Sequence, residues 1–485
     1  MTAPLETQAI IIGGGMSGLL AAIRLKQAGV DFALLEKNLE VGGTWLDNCY
    51  PGSGCDVPSH LYSYSFADNP HWSRLFARQP EILDYFRDQA NRFRLRPHLC
   101  LGVEVASADW DDSRARWMVT STDGNRWCAP ALIVATGQLN RPKIPDLPGR
   151  TRFAGAQLHT ARWHADAPIA GKRVGVIGTG ASAIQIVPEI ARDAAHLTVF
   201  QRSPHWIIPR MDAPIAPVMK RLFAHIPLLR KAFRALIWRR LEATHAAIAE
   251  PGGAKAREME TLALDYLSAT IADPALRQAL TPDFPIGCKR TLVSDDYYPA
   301  LTRDSVALET RAIDRIEPNG VRLADGTLVA LDTIVWATGF DTHGFVAPIA
   351  INGPEGSLAQ AWEGGASAYR GTTVAGFPNL FLLYGPNTNL GHNSIIFMVE
   401  RQMEYALPAI LSVARGDARR IAVRPDAQET YNRDLQRRLA TTAWAASCGS
   451  WYKTADGVMP NNWAGNTAEF ARMMKRFDDE AYDIA

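Results

Sequence analysis

Residues 8–37 read QAIIIGGGMSGLLAAIRLKQAGVDFALLEK. An apolar run from Ala9 to Ile12 enters Gly13-x-Gly15-x-x-Gly18, a helical pattern follows, and a second apolar run ends at Glu36. The order is strand, tight turn, helix, strand. The glycines let the backbone turn sharply and approach a pyrophosphate. That group would rest at the helix N-terminus near Ser17, where unpaired N–H groups and the helix dipole favour anions. Glu36 ends the second strand, where a carboxylate can accept hydrogen bonds from ribose hydroxyls. A glycine triplet alone also suits a plain structural turn. With both strands, the helix and the acid in place, nucleotide binding is the expected role.

The pattern recurs at residues 172–204, KRVGVIGTGASAIQIVPEIARDAAHLTVFQRSP, where Gly178-x-Gly180-x-x-Ala183 follows the strand 173–177. The next strand, 197–200, ends at Gln201 and Arg202, and Gln201 lies as far beyond Gly178 as Glu36 lies beyond Gly13. A carboxylate at that place would repel a 2′-phosphate, whereas an amide followed by a guanidinium would accept one. The second site is therefore expected to prefer NADPH over NADH.

Each unit is closed by the same late strand and turn, ALIVATG ending at Gly137 and DTIVWATG ending at Gly339. Two glycine turns, each with its own ATG strand, make an internal duplication. One site with a ribose-binding acid and one with a 2′-phosphate reader suggest a nicotinamide donor feeding a flavin. The fold class expected is α/β, with two Rossmann-like dinucleotide-binding domains and a helical insertion.

Composition narrows the remaining classes. The chain has 485 residues, 47% of them apolar and 21% charged, the balance of a globular protein of two to four domains. Lysines and arginines (51) nearly cancel aspartates and glutamates (50), so no long-range field draws nucleic acid or anionic lipid, and neither is expected as a partner. The cysteines (Cys49, Cys55, Cys100, Cys128, Cys288, Cys448) are scattered and form no CxxC pair. Free thiols in a reducing compartment are expected, with no disulfide framework, dithiol redox motif or metal site. The opening MTAPLETQ shows no basic segment followed by an apolar run, and no stretch reaches the roughly 20 apolar residues that cross a bilayer. A cytoplasmic protein, monomeric or homodimeric, is the expectation.

Reduced flavin can pass electrons to a disulfide, to a redox protein or to oxygen, and the first route lacks its cysteine pair. The deciding segment is VGGTWLDNCYPGSGCDVPSHLYSYSF, residues 41–66. There the sequence resembles the class B flavoprotein monooxygenases, in particular the Baeyer–Villiger monooxygenases. Gly42, Gly43, Trp45, Tyr50, Pro51, Gly52 and Asp56 match their long signature, and Phe153, Gly155, His159 and Trp163 match the short one. His164 then replaces the usual Pro or Asp. Further likeness lies in Gln201-Arg202-Ser203-Pro204, in Cys288-Lys289-Arg290 leading to Tyr297-Tyr298, in GFPNLFLLYGPNTNLGHNS and in Ser450-Trp451-Tyr452.

The resemblance implies an FAD-containing, NADPH-dependent monooxygenase. Such an enzyme inserts one oxygen atom from O2 beside a ketone carbonyl, through a C4a-peroxyflavin, and gives an ester or lactone. Sulfide or amine oxygenation by the same machinery is the alternative, and an electron-transfer reductase is a third. By the same resemblance Arg290 is the catalytic cation and Asp56 the acid that orients it. Gly13, Gly15, Ser17, Gly18, Glu36, Thr44, Trp45, Asp47, Asp56, Tyr62, Val105 and Asn387 would contact FAD. Gly54, Cys55, Gly178, Thr179, Gly180, Ala181, Ser182, Ala183, Gln185, Gln201, Arg202, Ser203, Lys289 and Arg290 would contact NADP, with Lys289 and Arg202 gripping the 2′-phosphate. His159 and Trp163 read as linker residues coupling domain motion to the cofactor; a satisfied buried histidine fits His159 equally.

The domain layout expected is an FAD-binding part over 1–145, an NADP-binding part over 146–205, a helical insertion over 206–284, an NADP-binding return over 285–345 and an FAD-binding return over 346–485. From Ala213 to Leu241 the insertion carries Lys220, Arg221, Arg230, Lys231, Arg234, Arg239 and Arg240 and no acid. Apolar residues recur at helical spacing as Leu222, Ile226, Leu229, Phe233 and Ile237, and Pro214, Pro217 and Pro227 would break the run into pieces. A basic amphipathic helix can lie on a membrane. The plainer expectation is an insert packed on the nucleotide units and lining the substrate entrance. Helices are expected over 394–413 and 428–443; Trp444, Trp451 and Trp463 could wall a substrate pocket, with aromatic core as the plainer expectation.

Overall fold

The computed structural model describes residues 3–454 and 456–485; Met1 and Thr2 of the opening segment lie outside the described residues. Two five-stranded parallel sheets organise the chain. The first runs Leu380–Leu382, Ala131–Val134, Ala9–Ile12, Phe32–Glu36, Leu99–Leu101. Its three inner strands are apolar without alternation because helices or other chain cover both faces. The helix Met16–Gln27 packs on it beside the long helix Ile395–Arg415, and Leu19, Ile23, Met398 and Met403 share one buried cluster.

The second sheet runs Val306–Glu309, His196–Phe200, Arg173–Ile177, Thr333–Trp336, Ala156–His159. In each sheet the strand that feeds the glycine turn lies between the strand ending at the acid or amide and the strand entering the ATG turn. The duplication read from sequence is thus a duplication in space. A six-stranded sheet built around the hairpin Val105–Asp111 and Arg116–Ser121 backs the first unit. A three-stranded antiparallel meander, Ile313–Glu317, Gly320–Leu323 and Leu328–Ala330, extends the second. The fold is α/β, with two Rossmann-type units.

The stretch between the two parts of the second unit is helical: Pro217–His225, Pro227–Ala243, His245–Ala249, Ala254–Thr270 and Pro274–Leu280. Pro217, Pro227 and Pro274 each open a helix at the position where a missing N–H costs nothing. Phe233 and Ile237 of the apolar stripe turn inward, but Leu222, Ile226 and Leu229 stay exposed. The stripe drifts because Ile226 lies between two helices and resets the phase.

Other expectations need correction. The last long helix is Pro425–Leu439, not 428–443, because Pro425 supplies its own helix start. Trp444 and Trp463 are buried, but Trp451 is 42% exposed. Cys288 and Cys448 are not free: they form a disulfide across 160 residues. Scattered cysteines gave no hint of this, since pairing needs only that the fold brings two Cα atoms within reach. The other cysteines are thiols. Among the described residues no helix is long and apolar enough to cross a membrane.

Candidate functional site

Gly13 takes a φ of +105°, and a Cβ there would lie 2.6 Å from the Ala135 carbonyl oxygen. Gly178 repeats this with a φ of +113° and a Cβ 2.4 Å from the Ala337 oxygen. The alanine of each ATG turn is therefore the wall against which each glycine turn is pressed. A Cβ on Gly18 would meet the Gly13 oxygen at 1.8 Å, whereas Ala183 is accommodated in the second unit. Gly15 and Gly180 are the N-caps, and among the described residues no side chain caps either helix. The first-turn N–H groups, which include Ser17 in one helix and Ala181 and Ser182 in the other, are left for an anion.

Glu36 is buried. One carboxylate oxygen accepts from Gly14 N at 2.6 Å and the other from Asn38 N at 2.8 Å. Burial raises its pKa, and these two N–H groups oppose the rise. Each oxygen keeps a lone pair for a ribose hydroxyl. Val105 is buried beyond this edge, and Val103 N donates to the Glu36 carbonyl.

The segment from Gly42 to Tyr62 folds over the first turn. Gly43 packs so close to Gly15 that a Cβ on it would lie 2.8 Å from the Gly15 Cα. Thr44 and Trp45 start the short helix Thr44–Asp47. Trp45 Nε1 donates to the Tyr62 hydroxyl at 3.1 Å, which in turn reaches Met16 Sδ at 3.7 Å. Asp47 accepts from Asn38 Nδ2 at 3.2 Å and faces Arg162 at 3.9 Å. Asn387 is buried, but its amide donates to the carbonyls of Met459 and Asn462 at 2.6 and 2.9 Å. That amide nitrogen, with the backbone N–H that donates to the Pro460 carbonyl at 2.7 Å, clamps the C-terminal segment, so only its two oxygens remain for a ligand.

Residues 50–56 bridge to the second unit. Tyr50 donates to Gln185 Oε1 at 2.7 Å and Gln185 Nε2 donates to the Gly54 carbonyl at 2.9 Å. Gln185 thus joins the units. Cys55 is buried, and burial pushes its thiol pKa up, which leaves it uncharged. Its carbonyl accepts from Arg210 Nη2 at 2.6 Å.

In the second turn Thr179 donates to the Ser203 carbonyl at 3.1 Å, and Lys289 Nζ donates to Ser203 Oγ at 2.6 Å. Burial, then the neighbouring Arg202 charge, lowers the Lys289 pKa, so two cations converge here. Arg202 is exposed. Gln201 differs from its expected posture: it is buried and its amide donates to the Ala279 carbonyl of the insertion at 2.7 Å.

Asp56 and Arg290 meet where the units face each other. Asp56 Oδ2 accepts from Arg290 Nε at 2.9 Å and Nη2 at 2.7 Å, and Nη1 lies 3.4 Å from the Leu390 carbonyl. Asp56 raises the Arg290 pKa and keeps it cationic. The two side chains are 30% and 25% exposed, so the pair is only partly covered. Tyr384 and Tyr452 lie within its field. Tyr384 donates to Asn389 Oδ1 at 2.8 Å, while the buried Tyr452 hydroxyl has no partner among the described residues and burial pushes its pKa up to about 12.

Sequence reasoning missed Arg210, Tyr384 and Asn389. Arg210 carried no motif, whereas Tyr384 and Asn389 lay inside the quoted GFPNLFLLYGPNTNLGHNS run without a role. His159 is buried, Nδ1 accepts from Ala161 N at 3.1 Å, and burial lowers its pKa to about 4. It is neutral near pH 7. His164, the departure from the short signature, is exposed.

Two glycine turns, a ribose-ready acid and a shared cation define a two-dinucleotide oxidoreductase. Residues 10–235 match the family model for pyridine nucleotide-disulphide oxidoreductases. A "Baeyer-Villiger monooxygenase" of Streptomyces coelicolor is 43% identical over 98% of this chain and 92% of its own. Among solved structures, the "OTEMO complex with FAD and NADP" superposes with a TM-score of 0.88 at 27% identity over all of both chains. Cyclohexanone monooxygenase from Rhodococcus sp. Phi1, bound to NADP+, superposes with a TM-score of 0.88 at 26% identity over 99% of each. The chain belongs to the Baeyer–Villiger monooxygenase family.

Proposed function

We propose that this protein holds FAD in its first unit and NADPH in its second, and converts a ketone to an ester or lactone with one oxygen atom from O2. The observation that carries the reading is the charged, half-open Arg290 held by Asp56 at the junction of the two units. When bound, the flavin supplies the redox chemistry that draws hydride from NADPH and delivers oxygen from O2 to the ketone. The uncapped helix starts and the pressed glycine turns fit two pyrophosphates, and Glu36 fits a ribose.

The chain's own residues set the rest. Arg290 presents a fixed positive charge to the oxygen atom on which negative charge gathers as the carbonyl is attacked, and it needs no proton transfer to do so. Asp56 orients the fork and offsets its desolvation. Thr44, Trp45, Asp47, Tyr62 and Val105 line the flavin side, with Asn387 contributing its side-chain and backbone oxygens. Gly54 and Cys55 approach the nicotinamide coenzyme through the backbone. Arg202 and Lys289 hold the 2′-phosphate, and Gln201 leaves room for it because it is not an acid. The layout in this reading is 1–145 and 346–485 for FAD, 146–205 and 285–345 for NADP, and 206–284 as the insertion at the substrate entrance. The site of action is the cytoplasm, as a monomer or homodimer.

The test is direct. Purified protein receives NADPH, oxygen and a panel of ketones, and products are identified by mass. Esters or lactones bearing one atom from labelled O2 support the reading. Sulfoxide or N-oxide formation without any ester would overturn it, as would NADPH oxidation that requires a protein acceptor.

A further inference from the structure

The helices Pro217–His225 and Pro227–Ala243 divide cleanly into two faces. Inward, Phe223 and Phe233 stack at 5.2 Å and both rest on His60, at 4.7 and 5.3 Å. Arg230 pairs with Asp68, Arg234 Nη1 donates to the His60 carbonyl at 2.8 Å, and Trp238 donates to Thr467 at 2.9 Å. These positions recur at helical spacing and bind the insertion to the first unit.

The outward face is different. Leu228, Ala232, Ala235 and Arg239 follow one another at i, i+4, i+7 and i+11, and all are exposed. Leu228 is 76% exposed, Val218 61%, and Ile226 and Leu236 45% each. Arg221, Lys231, Arg239 and Arg240 are exposed among them. From Ala213 to Leu241 there is no acid to neutralise them. Because both inner faces converge on one histidine, both outer faces point away from the body of the protein.

We infer that this outward face docks on the surface of an anionic lipid bilayer. An apolar strip interleaved with cations matches an interface in which acyl chains lie just beneath negative headgroups. The net charge of +1 does not oppose this, since the attraction falls off within a Debye length and is set by the local cluster. A second copy of the chain fits poorly. A two-fold contact through this patch sets the same residues against themselves, cation on cation with no acid between. The helices do not span the bilayer; they lie on it, and the rest of the molecule stays in water.

The flavin-loaded, full-length protein is sedimented with vesicles of phosphatidylcholine alone or mixed with phosphatidylglycerol. Binding to the mixed vesicles only, weakened in concentrated salt, is the expected result. Two variants follow, Leu228→Asp with Leu236→Asp, and Lys231→Glu with Arg239→Glu and Arg240→Glu. Both are expected to keep their flavin and their activity on a water-soluble ketone. The apolar pair of changes abolishes binding, and each lost cation weakens it about fivefold. Absence of binding to the mixed vesicles, or equal binding to both kinds, overturns the inference. So does a wild-type dimer that the Leu228→Asp and Leu236→Asp protein cannot form, or capture by an acidic protein without vesicle binding.

Discussion

A single carboxylate oxygen of Asp56 accepts two hydrogen bonds from Arg290, from Nε and from Nη2, across 234 residues of chain. The pair ties the loop of the first unit to the strand-entry segment of the second. It leaves Nη1 turned toward the Leu390 carbonyl. A guanidinium held in this way is fixed in direction, and its side chain stays 30% exposed. For Arg290→Ala, the expectation is NADPH oxidation that continues while ester formation disappears. Product analysis beside coenzyme consumption checks this; ester formation near the wild-type rate would remove Arg290 from the reaction.

Asp56→Asn separates orientation from charge. The amide fills the same space but no longer neutralises the cation, so an ion pair becomes a weaker hydrogen bond from a cation to a neutral acceptor. The expected outcome is a fall in kcat for the ketone of at least about tenfold, equivalent to roughly 1.4 kcal/mol, with the KM for NADPH little changed. A change in coenzyme KM alone would contradict the positioning role.

Arg202 is exposed beside Lys289, whose ammonium is already engaged with Ser203. Removing a charge-assisted phosphate contact costs about 1.5–3 kcal/mol, or one to two powers of ten in affinity. Arg202→Ala is therefore expected to weaken NADPH and leave NADH nearly unaffected. Titration of both coenzymes decides it, because equal losses exclude 2′-phosphate recognition.

Burial holds His60 and His159 at a pKa of about 4. Their unfolded value is near 6.5, so between these limits the unfolded chain binds more protons. Stability is full above pH 6.5 and falls as pH drops toward 4, by about 1 to 3 kcal/mol per histidine. Glu242, lowered to about 2 despite its burial by bonds to His392, Thr467 and Ala468, loses its contribution only below 4.5. Thermal melting across pH 7 to 4 tests this, and His60→Phe, placed against the stacked Phe223 and Phe233, should flatten the slope.

The Cys288–Cys448 bond leaves Cys49, Cys55, Cys100 and Cys128 as thiols. Alkylation of denatured, unreduced protein is expected to modify those and spare the bonded pair. Mass analysis of a non-reduced digest should find the peptides of Cys288 and Cys448 joined. Alkylated Cys288 in the unreduced sample would disprove the link.

The dinucleotide units were legible because their chemistry is local. A strand, a glycine turn, a helix and an acid fall within thirty residues; Gly13 and Gly18 make the close backbone approaches, and Glu36 sits beside the glycine turn. The roles of Asp56 and Arg290 came from motif resemblance, not from spacing, since nothing in 234 residues of separation announces a contact.

What the chain determined by itself is the pair of nucleotide folds and the chemical types available to them, because backbone conformation and hydrophobic period are short-range properties. Only the tertiary structure decided that Gln201 turns to the Ala279 carbonyl, that Gln185 joins the two units while Arg210 reaches Cys55 of the first, and that Cys288 meets Cys448. It also decided which side of the Pro227–Ala243 helix would be buried. Those outcomes depend on where distant surfaces come to rest, and the packing of whole units against one another sets that, not the preferences of neighbouring residues.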